Sequence, residues 1–134
     1  MAGVRYWVAE GATIVSHRAN RAFLETVVAR RWTSAPDELE RQRARLRFAS
    51  VNGSLVLGGG ELLVLPTDGV ASEGAVAVFA RTDRFLWASD FIQTLSQPTT
   101  YLSEVLAAVQ RVGVTPATVA GQHPRSPRGS ARRG

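Results

Sequence analysis

The chain has 134 residues, a length that fits one domain with a substantial apolar core. Its 45% hydrophobic and 20% charged residues are typical of globular proteins, and the absence of cysteine excludes disulfides and thiolate metal ligands. No apolar run approaches the ~20 residues that a membrane-spanning helix needs, and no secretory leader is recognised, so we expect a cytoplasmic protein.

Arginine supplies all of the 16 basic residues, which outweigh 11 acidic residues and give a net charge of +5. Four arginines lie within the last ten residues, where there is no acid: Arg125, Arg128, Arg132 and Arg133. Pro, Ser, Gly and Arg cannot build a core, so the sequence predicts a domain over residues 1–123 and a disordered tail over 124–134.

Helices and strands alternate in the first third of the chain. Residues 3–11 have helical spacing and end at Gly11, and residues 12–16 are an apolar run typical of a buried strand. Residues 17–31 resume helical spacing, with Ser16 as a candidate cap. The polar connector that follows has the charge pattern of a short helix.

From residue 43 the apolar spacing changes, and residues 45–51 alternate in the way that is typical of a half-exposed strand. A run of antiparallel strands is followed by one well-marked helix and a last short strand. The predicted elements are strands at 45–51, on both sides of the glycine turn within 55–66, at 75–80 and at 84–89, a helix at 99–113 and a strand at 115–123. This order predicts an α/β fold, an α+β mixed sheet covered by helices.

Three potential metal ligands directly follow predicted strands. Asp90 and His123 each come just past the carboxyl end of a core strand, and His17 follows the first strand. Ligands bind at that edge of open α/β sheets, and imidazole nitrogen and carboxylate oxygen are donors that suit zinc or iron. Spacing alone leaves other roles open, because an Asp there is also a typical cap and a His there is also a capping or hydrogen-bonding residue.

Three stretches resemble consecutive pieces of metallo-β-lactamase-fold hydrolases: YWVAEGATIVSHRANRAFLETVVA, RFLWASDFIQ and AAVQRVGVTPATVAGQH. In that family a strand ends in Ser-Asp and the Asp bridges two metal ions. LWASD matches this pattern, so the resemblance assigns that role to Asp90. A G-x-H follows the family's last core strand, and GQH matches it, which assigns His123 to the second metal. The resemblance implies part of a metallo-β-lactamase-like αββα sandwich.

Two parts of the family's metal site are missing from this sequence. The motif H-x-H-x-D-H, which supplies most ligands of the first metal, is not present. A further family His, usually within H-x-x-G, corresponds to ASEG at residues 71–74, so Ala71 stands in its place. The chain therefore looks like a family domain that is incomplete at its amino-terminal side.

Asp90 and His123 are the ligands that remain, and His17 is a third candidate, with Asn20 one helical turn behind it. A catalytic zinc normally needs three protein donors and an open position. We therefore expect zinc to bind this chain weakly or not at all. For His17 the favoured interpretation is capping or hydrogen bonding at the start of the following helix.

The resemblance implies a metal-dependent hydrolase, in which two metal ions convert a bridging water to hydroxide near neutral pH. Asp90 would be the catalytic residue that orients this water, and the substrate would be a small ester, thioester, lactam or phosphodiester. We expect the chain to be the carboxyl-terminal part of such a hydrolase and to be inactive alone. The alternative is a non-catalytic binding or assembly domain on the same scaffold, which Ala71 favours.

Nucleic acid is a less favoured partner. The chain has an arginine run and an arginine tail, but it has no recognisable binding motif and no aromatic residues between these arginines: Arg41, Arg43, Arg45 and Arg47. Membrane binding is not expected. A missing partner sheet would expose apolar surface, so self-association through the exposed sheet is expected.

Overall fold

The structure is a computed structural model that describes residues 2–89 and 100–121. The helices are α1 (Ala2–Ala9), α2 (Arg21–Ala29), α3 (Glu38–Gln42) and α4 (Thr100–Arg111). The strands are β1 (Thr13–His17), β2 (Arg47–Val51), β3 (Leu55–Leu57), β4 (Leu62–Pro66), β5 (Val76–Ala80), β6 (Phe85–Trp87) and β7 (Thr118–Ala120). Within these ranges no helix combines the length and the apolar composition that crossing a bilayer requires. The predicted tail at 124–134 lies outside the described residues.

Two sheets carry the strands. β1 and β2 form a parallel pair, and the other strands form a sheet in the order β3-β4-β5-β6-β7. In the larger sheet β3 to β6 are antiparallel neighbours, whereas β6 and β7 are parallel. The predicted α/β fold with a mixed sheet is therefore confirmed.

One pairing differs from the prediction. β2 does not begin the antiparallel run, because it pairs in parallel with β1, with Ile14 opposite Phe48 and His17 opposite Val51. The chain between the two strands passes through α2 and α3. A crossover of that kind is what brings two strands side by side in the same direction.

The main core lies between the larger sheet and α4. Leu63 and Leu65 of β4, Phe79 of β5 and Leu86 of β6 are buried in one cluster with the apolar stripe of α4, whose buried members include Val105 and Val109. Alternate residues of a strand point to opposite faces, so these four side chains share one face of the sheet. That face is closed by the helix predicted at 99–113.

A second core lies between the first three helices and the smaller sheet. Val8, Ala9 and Leu39 are buried there and pack against partly buried apolar residues that include Ile14 of β1. β2 contacts β4, so the two sheets face each other. The layers are therefore helices, small sheet, large sheet and helix, in agreement with part of an αββα sandwich.

Glycines shape two connections in this frame. Gly11 follows α1 at φ +77°, and its N–H donates to the carbonyl of Val8, which ends the helix as predicted. Gly58, Gly59 and Gly60 between β3 and β4 all have positive φ, which only glycine adopts without strain.

Candidate functional site

The carboxyl ends of β6 and β7, which precede the candidate ligands of the sequence analysis, lie at one edge of the large sheet. Trp87 pairs with Ala120, and the N–H of Ala88 donates to the carbonyl oxygen of Ala120 at 2.8 Å. β5 runs antiparallel to β6, so the loop at 67–75 that leads into β5 reaches the edge at which β6 ends. The carboxyl ends of β6 and β7 are therefore neighbours, beside this loop.

Asp90 and His123 themselves lie outside the described residues. The structure follows the chain to Ser89 after β6 and to Gly121 after β7. Ser89 has a φ of +53°, a left-handed conformation that a residue with a side chain adopts only at some energetic cost. Because β6 and β7 are parallel, the segments that lead to Asp90 and to His123 end at one edge of the sheet. The role of each residue as a metal ligand stays a prediction.

His17 is buried at the same edge and has two hydrogen-bond partners. Its Nδ1 accepts from the N–H of Ala19 at 3.2 Å, which caps the short 3₁₀ turn at Arg18–Asn20. An Nδ1 that accepts carries no proton, so the neutral ring has its proton on Nε2, 2.9 Å from Oδ1 of Asp68. The capping interpretation of His17 is confirmed, and a metal on Nε2 would have to displace Asp68.

Asn20 links the end of β1 to the loop at 67–75. Its Nδ2 donates to Oγ of Ser16 at 2.9 Å and to the carbonyl oxygen of Gly74 at 2.6 Å. Gly74 has a φ of +74°, and a Cβ there would lie 2.9 Å from Oδ1 of Asn20. Ser16 accepts this side-chain bond and does not cap α2, so that prediction was wrong because the 3₁₀ turn precedes the helix.

Hydrogen bonds within the loop at 67–75 hold it in a compact form. Oγ1 of buried Thr67 donates to the carbonyl oxygen of Ser72 at 3.2 Å, and the N–H of Gly69 donates to Oγ of Ser72 at 3.2 Å. Arg111, at the end of α4, donates to the carbonyl oxygens of Pro66 and Thr67. Hydrogen bonds within the loop and from Arg111 of α4 therefore fix its conformation.

Glu104 of α4 points its carboxylate into this loop. Its Oε1 accepts from the N–H of Ala71 at 3.1 Å. The hydroxyl of Ser72, and then the N–H of Ala71, hold the pKa of the Glu104 carboxyl below its usual value of 4.5 because they donate to the ionised form. Ala71, where the resemblance places a metal-binding His, thus contributes a backbone donor to a carboxylate of the chain itself.

Solved structures share this architecture. The DIM-1 metallo-β-lactamase exposed to ceftazidime matches with a TM-score of 0.59 and 12% sequence identity, over 92% of this chain and 54% of that chain. This chain has the metallo-β-lactamase fold. TMB-1, solved in a study of its substrate and inhibitor binding, matches with a TM-score of 0.59 and 15% identity, over 92% of this chain and 55% of that one.

The metallo-β-lactamase fold covers nearly the whole chain, and the chain spans about half the length of these two structures. No family model and no curated protein matches the sequence. The expected fold family is confirmed by structure, at an identity that carries no assignment of activity or substrate.

The described part of this metallo-β-lactamase fold does not fit a zinc ion. Across residues 2–89 and 100–121, no three His, Asp or Glu side chains come together as a metal-binding group would require. Ala71 has no donor side chain, and both ring nitrogens of His17 already have partners.

Sequence reasoning does not identify three residues of this edge: Asp68, Glu104 and Arg111. For Glu104 and Arg111, helical spacing in the sequence could have predicted a position at the border of the buried face. Glu104 and Arg111 are seven positions apart on α4, and buried Ala108 lies between them on the same face, so both charges border the buried stripe. Asp68 lies 51 positions from His17, and nothing local predicts that contact.

Proposed function

We propose that this chain is the carboxyl-terminal part of a metallo-β-lactamase-fold, metal-dependent hydrolase, and that it hydrolyses no substrate by itself. The observation that carries the expected inactivity of the chain, which the second candidate function below shares, is the loop at 67–75. There the position of an expected metal-binding His is Ala71, whose N–H is bonded to Glu104. The loop thus contributes to stability and supplies no imidazole.

Asp90 and His123 remain the candidate ligands under this proposal. The parallel pairing of β6 with β7 supports it, because ligand positions that follow neighbouring strand ends can share one ion. Two protein donors are fewer than the three of a typical catalytic zinc site. Zinc affinity is therefore expected to be weak, and turnover by the chain alone to be absent.

Zinc titration and metal analysis test the proposal on the full chain. We expect less than one zinc per chain after dialysis, and no hydrolysis of a chromogenic cephalosporin, a thioester or a phosphodiester with zinc in excess. The residual zinc affinity should fall in Asp90→Asn and in His123→Ala and stay unchanged in His17→Gln. One tightly held zinc per chain, or a turnover that Asp90→Asn abolishes, would contradict the proposal.

A non-catalytic binding or assembly domain is the second candidate function. The bonds that His17 makes to Asp68 and that Glu104 makes to Ala71 favour it, since they link parts of this edge to each other through side chains of the chain itself. This candidate predicts no zinc affinity in the wild-type chain and no effect of Asp90→Asn on zinc binding. The same titration therefore separates the two functions.

A further inference from the structure

A cavity of about 640 Å³ opens in the helical layer, away from the strand edge described above. α1, α2, α3 and the connection between α2 and α3 form its walls, and no residue of the cluster around His17 and Glu104 lines it. Sites for small molecules commonly have volumes of ~300–1,000 Å³. The cavity therefore has the size of a ligand site.

Three aromatic side chains are among those that line this cavity. Tyr6 of α1, Phe23 of α2 and Trp32 of the connection line it, and they are respectively 54%, 50% and 44% exposed. Large aromatic side chains are usually more deeply buried, and ligand pockets are lined mainly by such groups with a few polar ones. Three half-open rings around one cavity form a surface that a planar apolar molecule would cover.

The charges that line the cavity leave one cation uncompensated among the described residues. Arg5 is paired with Asp37 by two hydrogen bonds, and Glu38 accepts from Arg41 and Gln42. The guanidinium of Arg30 lies 5.3 Å from the centroid of the Trp32 ring, and none of the described carboxylates is its ion-pair partner. An exposed guanidinium beside an aromatic ring is a donor for a carboxylate.

We propose that this cavity binds a small aromatic carboxylate. Its ring would pack among Tyr6, Phe23 and Trp32, and its carboxylate would accept hydrogen bonds from the guanidinium of Arg30. The apolar wall selects a planar apolar body, and the single uncompensated cation selects a monoanion. The site is separate from the strand edge, so this binding does not depend on the hydrolase proposal.

Isothermal titration of the full chain with cinnamate and with cinnamamide tests the proposal. The two molecules share a planar aromatic body and differ in the charge of one group. We expect saturable binding of one cinnamate per chain, about tenfold tighter than cinnamamide, since hydrogen bonds to a charged group are the stronger ones. Equal affinity for the two, or no saturable binding of cinnamate, would overturn the proposal.

Matched arginine variants separate this site from general attraction of anions to a chain of net charge +5. Arg30→Gln should weaken cinnamate binding about tenfold and leave cinnamamide binding unchanged. Arg45→Gln removes the same charge at an exposed position outside the cavity and should change neither. Equal losses in both variants would overturn the proposal.

Two further measurements complete the test. Phe23→Ala should weaken the binding of both molecules because it removes one apolar wall, and circular dichroism should show that each variant is folded. Sedimentation should show the same mass with and without cinnamate. If cinnamate instead dissociates a dimer, the cavity is an interface between two copies and the proposal fails.

Discussion

At Gly69 the backbone and a helix side chain approach so closely that only a residue without a Cβ fits. A Cβ on Gly69 would lie 1.9 Å from Cδ of Glu104 and 2.1 Å from its Oε2. The carboxylate that contacts this glycine also accepts the N–H of Ala71. The size of residue 69 therefore affects how well the Glu104 carboxylate can accept the hydrogen bond from Ala71.

Glu104→Gln is expected to destabilise the chain at neutral pH. Folding lowers the pKa of the Glu104 carboxyl, so the ionised carboxylate stabilises the fold at pH values above the usual pKa of 4.5. This stabilisation is lost as the pH falls through the pKa of the folded state. Urea unfolding at pH 7 and at pH 3 should show a difference between wild type and variant that shrinks at low pH. Glu25→Gln, an exposed position paired with Arg21, is the control and should show little change at either pH.

Gly69→Ala is expected to act through Glu104. The new methyl group would displace the carboxylate from its N–H donors, so the substitution should lower the urea midpoint in the wild-type background. In a Glu104→Ala background the clash is absent, and the same substitution should cost much less. A double-mutant cycle measures this difference. Additive effects of the two substitutions would contradict the coupling.

Among the elements, α1 holds the next two helices through one side chain. Arg5 is 4% exposed, and its Nη1 donates to the carbonyl oxygens of Val27, Val28 and Arg30 at the end of α2. Its Nε and Nη2 donate to Asp37, whose Oδ1 also accepts the N–H of Glu40 and caps α3. Carbonyls at a helix end lack partners within the helix, so one guanidinium joins three elements.

Arg5→Met keeps the length of the side chain and removes these donors. We expect the free energy of unfolding to fall by about 2 kcal/mol. A fully buried pair would cost ~3–5 kcal/mol, and the loss is smaller here because a third of the Asp37 side chain is exposed. Urea unfolding measures the loss. Arg41→Met, which removes an exposed partner of Glu38, is the control and should change little.

The same contact predicts an acid dependence. The guanidinium of Arg5 lowers the pKa of the Asp37 carboxyl to about 2, from an ordinary value of 3.8. A lowered pKa stabilises the fold above the ordinary value, and this stabilisation is lost as the pH falls from about 4 to about 2. The difference in unfolding free energy between wild type and Arg5→Met should therefore decrease over that interval. If this difference in unfolding free energy stayed constant with pH, the ion pair with Asp37 would not be the source of the stability that Arg5 provides.

For the whole molecule, the layers that residues 2–89 and 100–121 form leave part of the large sheet uncovered. Leu62 of β4 and Trp87 of β6 lie on the face opposite α4 and are 37% and 39% exposed, whereas Val64, two positions after Leu62 on the same face, is buried. The two-stranded sheet contacts β4 and covers part of this face. An apolar face of this kind can pack against the same face of a second copy about a two-fold axis.

We therefore expect the full chain to self-associate through this face. Sedimentation velocity should show a mass that rises with protein concentration, and Trp87→Glu should shift the chain toward the monomer because it places a charge in the contact. Trp7→Glu, on α1 and 57% exposed, is the matched control and should leave association unchanged. A monomer at every concentration, or equal effects of both variants, would contradict the prediction.

Local patterns were enough to predict most elements. The stripe that includes Leu102 and Val105 predicted α4, and Gly11 predicted the end of α1. Alternation predicted β2, and short apolar runs between turn signals predicted the strands of the large sheet. Each of these signals lies within a few residues and follows from the period of one element. The side-chain cap of His17 at the 3₁₀ turn is equally local, since its donor, Ala19, is two residues away.

Chain composition and spacing alone determined the fold class and the order of elements, and they predicted candidate ligands at strand ends. Only the tertiary structure decided that β2 pairs with β1, that His17 meets Asp68 and that Glu104 occupies the loop beside Ala71. Periodicity records which face of an element is apolar and carries no information about its partner in space. These contacts join residues 33 to 51 positions apart, and they form only when the packed layers bring the segments together.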